Sequence, residues 1–211
     1  MPTPMIKKVF SAAGQILDGL GGIVGIRVGT EEPHHLSEPL TDRVEIRRYG
    51  PRIAAETTVY ADDEAARSTG FRRLAGYIFG GNHRNTKIAM TAPVAQQNEK
   101  IAMTAPVSQA TGPDGGSVIR FFMPAKWSLA TLPEPDDEAV RLVEVPGETV
   151  AVLKFSGDRA PAAIDERTEE LLQTLRDKGL EPAGAVVAWF YDPPWTVPFR
   201  RRNEVAVPIA S

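Results

Sequence analysis

The chain states one structural plan twice, and that limits its possible folds more than any other feature. VEIRRY (44–49) and RIAAETTVY (52–60) are β-like runs split by Gly50-Pro51. VRLVEV (140–145) and TVAVLKF (149–155) are β-like runs split by Pro146-Gly147. A helical stretch starts roughly a dozen residues after each glycine. In the first, Ala66, Phe71, Leu74, Tyr77 and Ile78 recur near the helical period, and Gly80-Gly81-Asn82 closes the run. In the second, over 160–179, Ile164, Leu171, Leu172 and Leu175 make the stripe and Gly179 closes it. Further strands follow each helix: SVIRFFMP (117–124), then AVVAWFY (185–191) and NEVAVPI (203–209). The halves, about 40–124 and 138–209, read as two β-α-β-β units. Such units share one sheet, or a barrel, with both helices covering it. A groove at the pseudo-twofold axis is then a natural ligand site.

A second repetition is literal. KIAMTAPV occupies 87–94 and again 100–107. Side chains alternate along a strand, so an antiparallel hairpin of the two copies would set Ile88 against Val107, Met90 against Ala105, Ala92 against Met103 and Val94 against Ile101. All eight then share one apolar face, with Thr91 and Thr104 on the other. Pro93 and Pro106 lack a donor, so the ladder is expected to break near each. Methionine fills gaps in cores, and packing accounts for Met90 and Met103. Contact with a flat apolar ligand, or with a metal, is the alternative.

Of 211 residues, 42% are apolar and the net charge is −3, which argues against a general nucleic-acid binder. No cysteine is present, so disulfides and thiolate zinc sites are excluded, and a reducing, cytoplasmic setting is expected. Residues 1–31 form a separate amphipathic segment. Ile6, Val9, Phe10, Ala13, Leu17 and Leu20 make one stripe there, suited to packing on the domain, on a protein partner or on a membrane surface. Asp18 interrupts the apolar run well short of the about 20 residues a transmembrane helix needs.

VEIRRYGPRIAAET, GFRRLAGYIFGGN, KIAMTAPV and YDPPWTVPFRRRNEV stand in that order, and together they resemble the SOUL heme-binding protein family. The resemblance runs from about Glu32 to Pro208 and covers nearly all of a domain at 32–211. It implies an α+β fold: a distorted antiparallel β-barrel flanked by two helices and built from a repeated half. It also implies non-catalytic, reversible binding of heme or related tetrapyrroles in an exposed apolar groove.

The family's groove follows one face of the first helix, which here carries Ser68, Arg72, Ala75, Gly76 and Phe79. Small residues at 75 and 76 admit a planar ring, Phe79 can stack on it, and Arg72 matches a propionate. An arginine in water beside a well-packed helix is the alternative. The family's second wall is the loop after Tyr191, with Trp195, Thr196 and Phe199. That loop could equally lid a core, and Arg200, Arg201 and Arg202 could be only a solvated turn. For iron, some relatives have a histidine where this chain has Arg48. His83, just past the helix, is the best remaining metal candidate. His34 and His35 lie ahead of the first strand, and Tyr49 and Tyr77 read as core residues. No nucleotide-binding, hydrolase or metalloprotease motif is present. A carrier or buffer is one reading of the whole. A small-molecule sensor or protein-interaction domain, on a scaffold like bacterial effector-binding domains, is the other.

Overall fold

The computed structural model describes residues 31–83, 101, 104–112, 114–192 and 196–210. The N-terminal stripe, the first KIAMTAPV copy with Met90, Met103 of the second copy and Trp195 lie outside the described residues.

Among the described residues, eleven strands and two helices follow one another as β1 (His35–Pro39), β2 (Val44–Tyr49), β3 (Arg52–Val59), α1 (Asp63–Ile78), β4 (Asn82–His83), β5 (Val107–Thr111), β6 (Ser117–Phe122), β7 (Glu134–Pro135), β8 (Arg141–Val145), β9 (Glu148–Phe155), α2 (Pro161–Asp177), β10 (Val187–Phe190) and β11 (Asn203–Pro208). Nine strands make one antiparallel sheet in the order β1-β2-β9-β11-β10-β5-β6-β3-β8. Leave out β1, exchange β2 with β8, β3 with β9, β5 with β10 and β6 with β11, and the same order is read from the opposite edge. The sequence's expectation of two matched units sharing one curled sheet is therefore met.

The first strand of each half pairs with the second strand of the other: β2 with β9, and β3 with β8. The two β connections must cross to allow this. A Cβ at Gly147 would stand 3.0 Å from the Tyr49 carbonyl oxygen, so glycine permits the crossing.

Each helix packs on its own half, α1 on β3 and β6, α2 on β9 and β11. Asp62 caps α1 by accepting from the Ala65 amide at 3.0 Å, and Asp63 and Glu64 complement its first turn. Its buried stripe is Ala66, Gly70, Leu74, Tyr77 and Ile78. Gly70 replaces the expected Phe71 because the helix lies very close to the sheet there. A Cβ at Gly70 would be 2.5 Å from Ile119 Cγ1. Phe71 is half-buried and packs edge-on against Phe121, ring centroids 5.3 Å apart. In α2, Leu171 and Leu175 are buried, with Ile164 packed beside them, and Gly179 closes the helix at φ 68°.

Two expectations need correction. His35 does not precede the first strand: it begins β1, whose five residues pair with β2. The second KIAMTAPV copy does not end in a hairpin with the first. Val107 pairs with Phe121 on one side and Phe190 on the other, so both of its strand edges are taken. Nor does the copy keep one face. Ile101 packs in the cluster under α1, Ala105 packs with Tyr49 and Trp189, and Thr104 bridges in parallel to Glu31.

Candidate functional site

With one helix over each half, the middle of the sheet is left for a groove. Its floor is a row of cross-strand neighbours. Phe190 on β10 lies opposite Val107 on β5 and opposite Asn203 on β11, and directly paired residues share a face. The larger hollow, about 750 Å³, runs from α1 to the start of α2. That lies within the roughly 300–1,000 Å³ usual for small-molecule sites. A smaller one of about 230 Å³ adjoins it at Arg67, Pro161 and Phe190 and reaches Asp63, Gln109 and Asp165.

Four arginines border the larger hollow: Arg67, Arg72, Arg159 and Arg201. Arg67 Nε donates to Gln109 Oε1 at 2.8 Å, and its guanidinium stands 4.5 Å from the Phe190 ring centroid. Burial holds its pKa below the ordinary arginine value, against the pull of Asp63 and Glu64. Arg159 stands over the same ring at 5.6 Å and donates from Nη1 to the Asp192 carbonyl at 3.1 Å. Burial, then the charges of Arg201 and Arg67, pull its pKa down to about 10. Two guanidiniums thus lie by one aromatic ring, and the charge of Arg67 is among those that lower the Arg159 pKa. Phe71, Val107 and Phe190 supply the apolar wall. Asn203, opposite Phe190, is fully buried, and neither its Nδ2 nor its Oδ1 has a partner.

Of the residues singled out in the sequence, Ser68 and Arg72 line this hollow. Arg72 lies back on its own helix, donating to the Ser68 carbonyl at 3.3 Å. Ala75, Gly76 and Phe79 continue that helix face beyond the hollow. Gly76 is open, with nothing within 4 Å of a Cβ there, and Phe79 is 59% exposed. Thr196 is fully buried, and Phe199 on the short turn Pro198–Arg200 is 75% exposed. The hollow does not include either. Sequence reasoning missed Arg67, Arg159 and Phe190. The apolar run AVVAWFY shows no clean alternation to assign Phe190 a face, and nothing local links Arg67 to Arg159.

His83 lies apart, on the short ladder of β4 with β7. Its Nδ1 is 2.6 Å from Asp136 Oδ1, and its Nε2 is 3.6 Å from Glu134 Oε2. Among the described residues no group of three or more His, Cys, Asp or Glu is arranged to hold a metal ion. Tyr49 and Tyr77 are buried away from the groove, and the Tyr77 hydroxyl donates to the Pro133 carbonyl at 2.9 Å. No described helix is long and apolar enough to cross a membrane.

Comparison with known proteins adds four findings. A model of the SOUL heme-binding protein family matches residues 30–208. Heme-binding protein 2 of Mus musculus is 31% identical over 172 residues, 80% of this chain and 78% of that protein. Heme-binding protein 2 of Homo sapiens is 32% identical over 144 residues, 67% and 65% of the two chains. In fold alone, the chain is also similar to the crystal structure of the EcmrR C-terminal domain. That likeness has a TM-score of 0.51 at 9% identity and covers 83% of this chain and 99% of that one.

Proposed function

The chain belongs to the SOUL heme-binding protein family, and from that premise we propose that it holds heme or a related tetrapyrrole reversibly in the groove between α1 and α2. The single observation that carries the location is the pair of guanidiniums, Arg67 and Arg159, over the Phe190 ring. A tetrapyrrole brings a flat apolar macrocycle and peripheral carboxylates. The residues of the groove fit both parts: Phe71, Val107 and Phe190 offer apolar surface, and the arginines offer paired donors for carboxylates.

None of the described residues lining the larger hollow is a histidine, cysteine, methionine or tyrosine. Holding by contact and by carboxylate pairing therefore supports a carrier or buffer that does not depend on iron. Ser68 and Arg72 line the hollow, and Ala75, Gly76 and Phe79 remain part of this proposal as the helix face along which a ring extending from it would rest; Trp195, Thr196 and Phe199 belong to it on the family resemblance alone. A cytoplasmic site of action belongs to it too, supported by a cysteine-free sequence that suits a reducing compartment.

Hemin and metal-free protoporphyrin titrated side by side test the reading. Similar affinities are expected, with both weakened by Arg159→Gln and neither changed by His83→Ala. Loss of all binding when the metal is absent would overturn it.

A further inference from the structure

The sheet face that carries Val107, Ile119 and Phe121 under α1 turns polar toward one end of its central strands. Gln109 pairs with Ile119 and with Ala188, and Thr111 pairs with Ser117. Directly paired residues share a face, so Gln109, Thr111 and Ser117 point to the side of Ile119, which α1 covers at Gly70. These three polar residues line the floor of the smaller hollow. Ser117 is 7% exposed, and its hydroxyl has no hydrogen-bond partner among the described residues. A hydroxyl so deeply buried is normally bonded.

Each helix adds a carboxylate to the walls. Asp63 opens α1, Asp165 lies one turn into α2, and both line the hollow. Among the described residues neither carboxylate accepts a hydrogen bond or forms an ion pair. Arg67 also borders the hollow, but its Nε donates to Gln109 Oε1 and its guanidinium stands by the Phe190 ring, at the boundary with the larger hollow.

What these groups lack is a donor. An ionised carboxylate only accepts, and a hydroxyl without a partner can accept as well. An ammonium group carries three donors and no acceptor, and its charge matches the carboxylates. A ligand anion would meet Asp63 and Asp165 as like charges. Ile164, Val186 and Ala188 supply apolar surface beside the polar floor. At about 230 Å³ the hollow lies below the range usual for drug-sized ligands, so the body of its ligand is short.

We propose that the smaller hollow is a binding site of its own, for a small primary amine. Asp63, Asp165 and the Ser117 hydroxyl hold the ammonium, and Ile164, Val186 and Ala188 hold a short apolar body. The site adjoins the groove proposed for the tetrapyrrole and does not depend on that reading.

The test is isothermal titration calorimetry of the full chain with phenethylamine, 2-phenylethanol and 3-phenylpropionate, probes of similar size that differ in the terminal group. Phenethylamine is expected to bind about tenfold more tightly than the alcohol, as charge-assisted hydrogen bonds in a half-exposed site allow, and the carboxylate most weakly. The double variant Asp63→Asn with Asp165→Asn, its fold checked by circular dichroism, should bring the amine down to the affinity of the alcohol. Asp165→Asn alone, at an exposed helix position, should narrow the gap in the same direction and carries the test should the double variant not fold. Asp42→Asn, at an exposed carboxylate between β1 and β2, should change nothing. The alcohol binding as tightly as the amine would overturn the inference, and so would a preference that survives in the folded variants. An equal loss in Asp42→Asn would overturn it too, as a general effect of net charge. Binding of none of the three would overturn it and leave the tetrapyrrole reading standing.

Discussion

Arg52 and Glu148 hold the same position in the two halves of the sheet, and they form an ion pair with each other. Arg52 opens β3 opposite Val145, and Glu148 opens β9 opposite Tyr49. The pair therefore ties together the two crossing connections. The Arg52 side chain is only 8% exposed, lying 4.2 Å from the Tyr49 ring centroid and 4.6 Å from that of Phe122. Burial lowers its pKa, against the raising effect of Glu148. The symmetry of the fold has brought opposite charges to equivalent places.

Glu148→Gln should lower stability by about 1–3 kcal/mol, because it leaves a buried guanidinium without its carboxylate. In a domain of this size that is a fall in Tm of roughly 2–12 °C. Arg48→Gln is the control. Arg48 meets Glu38 at 3.4 Å with both side chains more than half exposed, and its loss should cost at most about 0.5 kcal/mol. Chemical denaturation of the two variants checks the contrast.

Glu204 should govern acid sensitivity. It is fully buried and accepts from Arg47 at 2.7 and 2.8 Å, from Arg202 Nε at 2.8 Å and from the Tyr191 hydroxyl at 2.7 Å. Burial alone would raise its pKa, but the hydrogen bonds and charges of Arg47 and Arg202 outweigh it, so the folded value lies below the ordinary 4.5. Its stabilisation is full above that value and is lost as pH falls through the folded pKa. Glu204→Gln should cost about 1–3 kcal/mol at neutral pH by removing one of the two carboxylates on buried Arg47, which keeps Glu45 at 2.5 Å. Its stability should also vary less with pH below 4.5 than that of the parent. Urea melts at neutral and acid pH measure both effects.

The sequence showed the frame more clearly than the site. Gly50 and Gly147 marked the breaks between β runs, and Gly80 and Gly179 closed the helices, because turns and helix ends are chosen by local chemistry. The partners of β5 were illegible. Two identical phrases suggested a hairpin, whereas Val107 lies between Phe121 and Phe190, and that choice rests on packing across the whole sheet. Ser68 and Arg72 were legible as one helical face. Arg67 lies on the adjoining flank and reads as an ordinary surface position until α2 brings Arg159 to the same ring.

That convergence sets a third prediction. Arg67→Gln and Arg159→Gln should each weaken porphyrin binding by about three- to thirtyfold, the range of one charge-assisted contact in a half-buried site. Arg48→Gln, at an exposed side chain of β2, should leave binding unchanged. Parallel titrations check it, with equal losses in all three variants pointing to a general effect of net charge instead.

Two glycines of α1 separate packing from ligand contact. Gly70 faces Ile119 so closely that an added methyl must displace it, and Gly70→Ala should cost about 1–3 kcal/mol. Gly76 faces open space in the same helix, where alanine removes backbone entropy from the unfolded chain, so Gly76→Ala should stabilise by about 0.5–1 kcal/mol. The second variant also tests how far a bound ring extends along the helix. A ring confined to the hollow around Arg67 and Phe190 never meets position 76, and its affinity should be the same in Gly76→Ala as in the parent. A ring that reaches along the face toward Phe79 would meet the new methyl, and its affinity should fall while thermal stability rises.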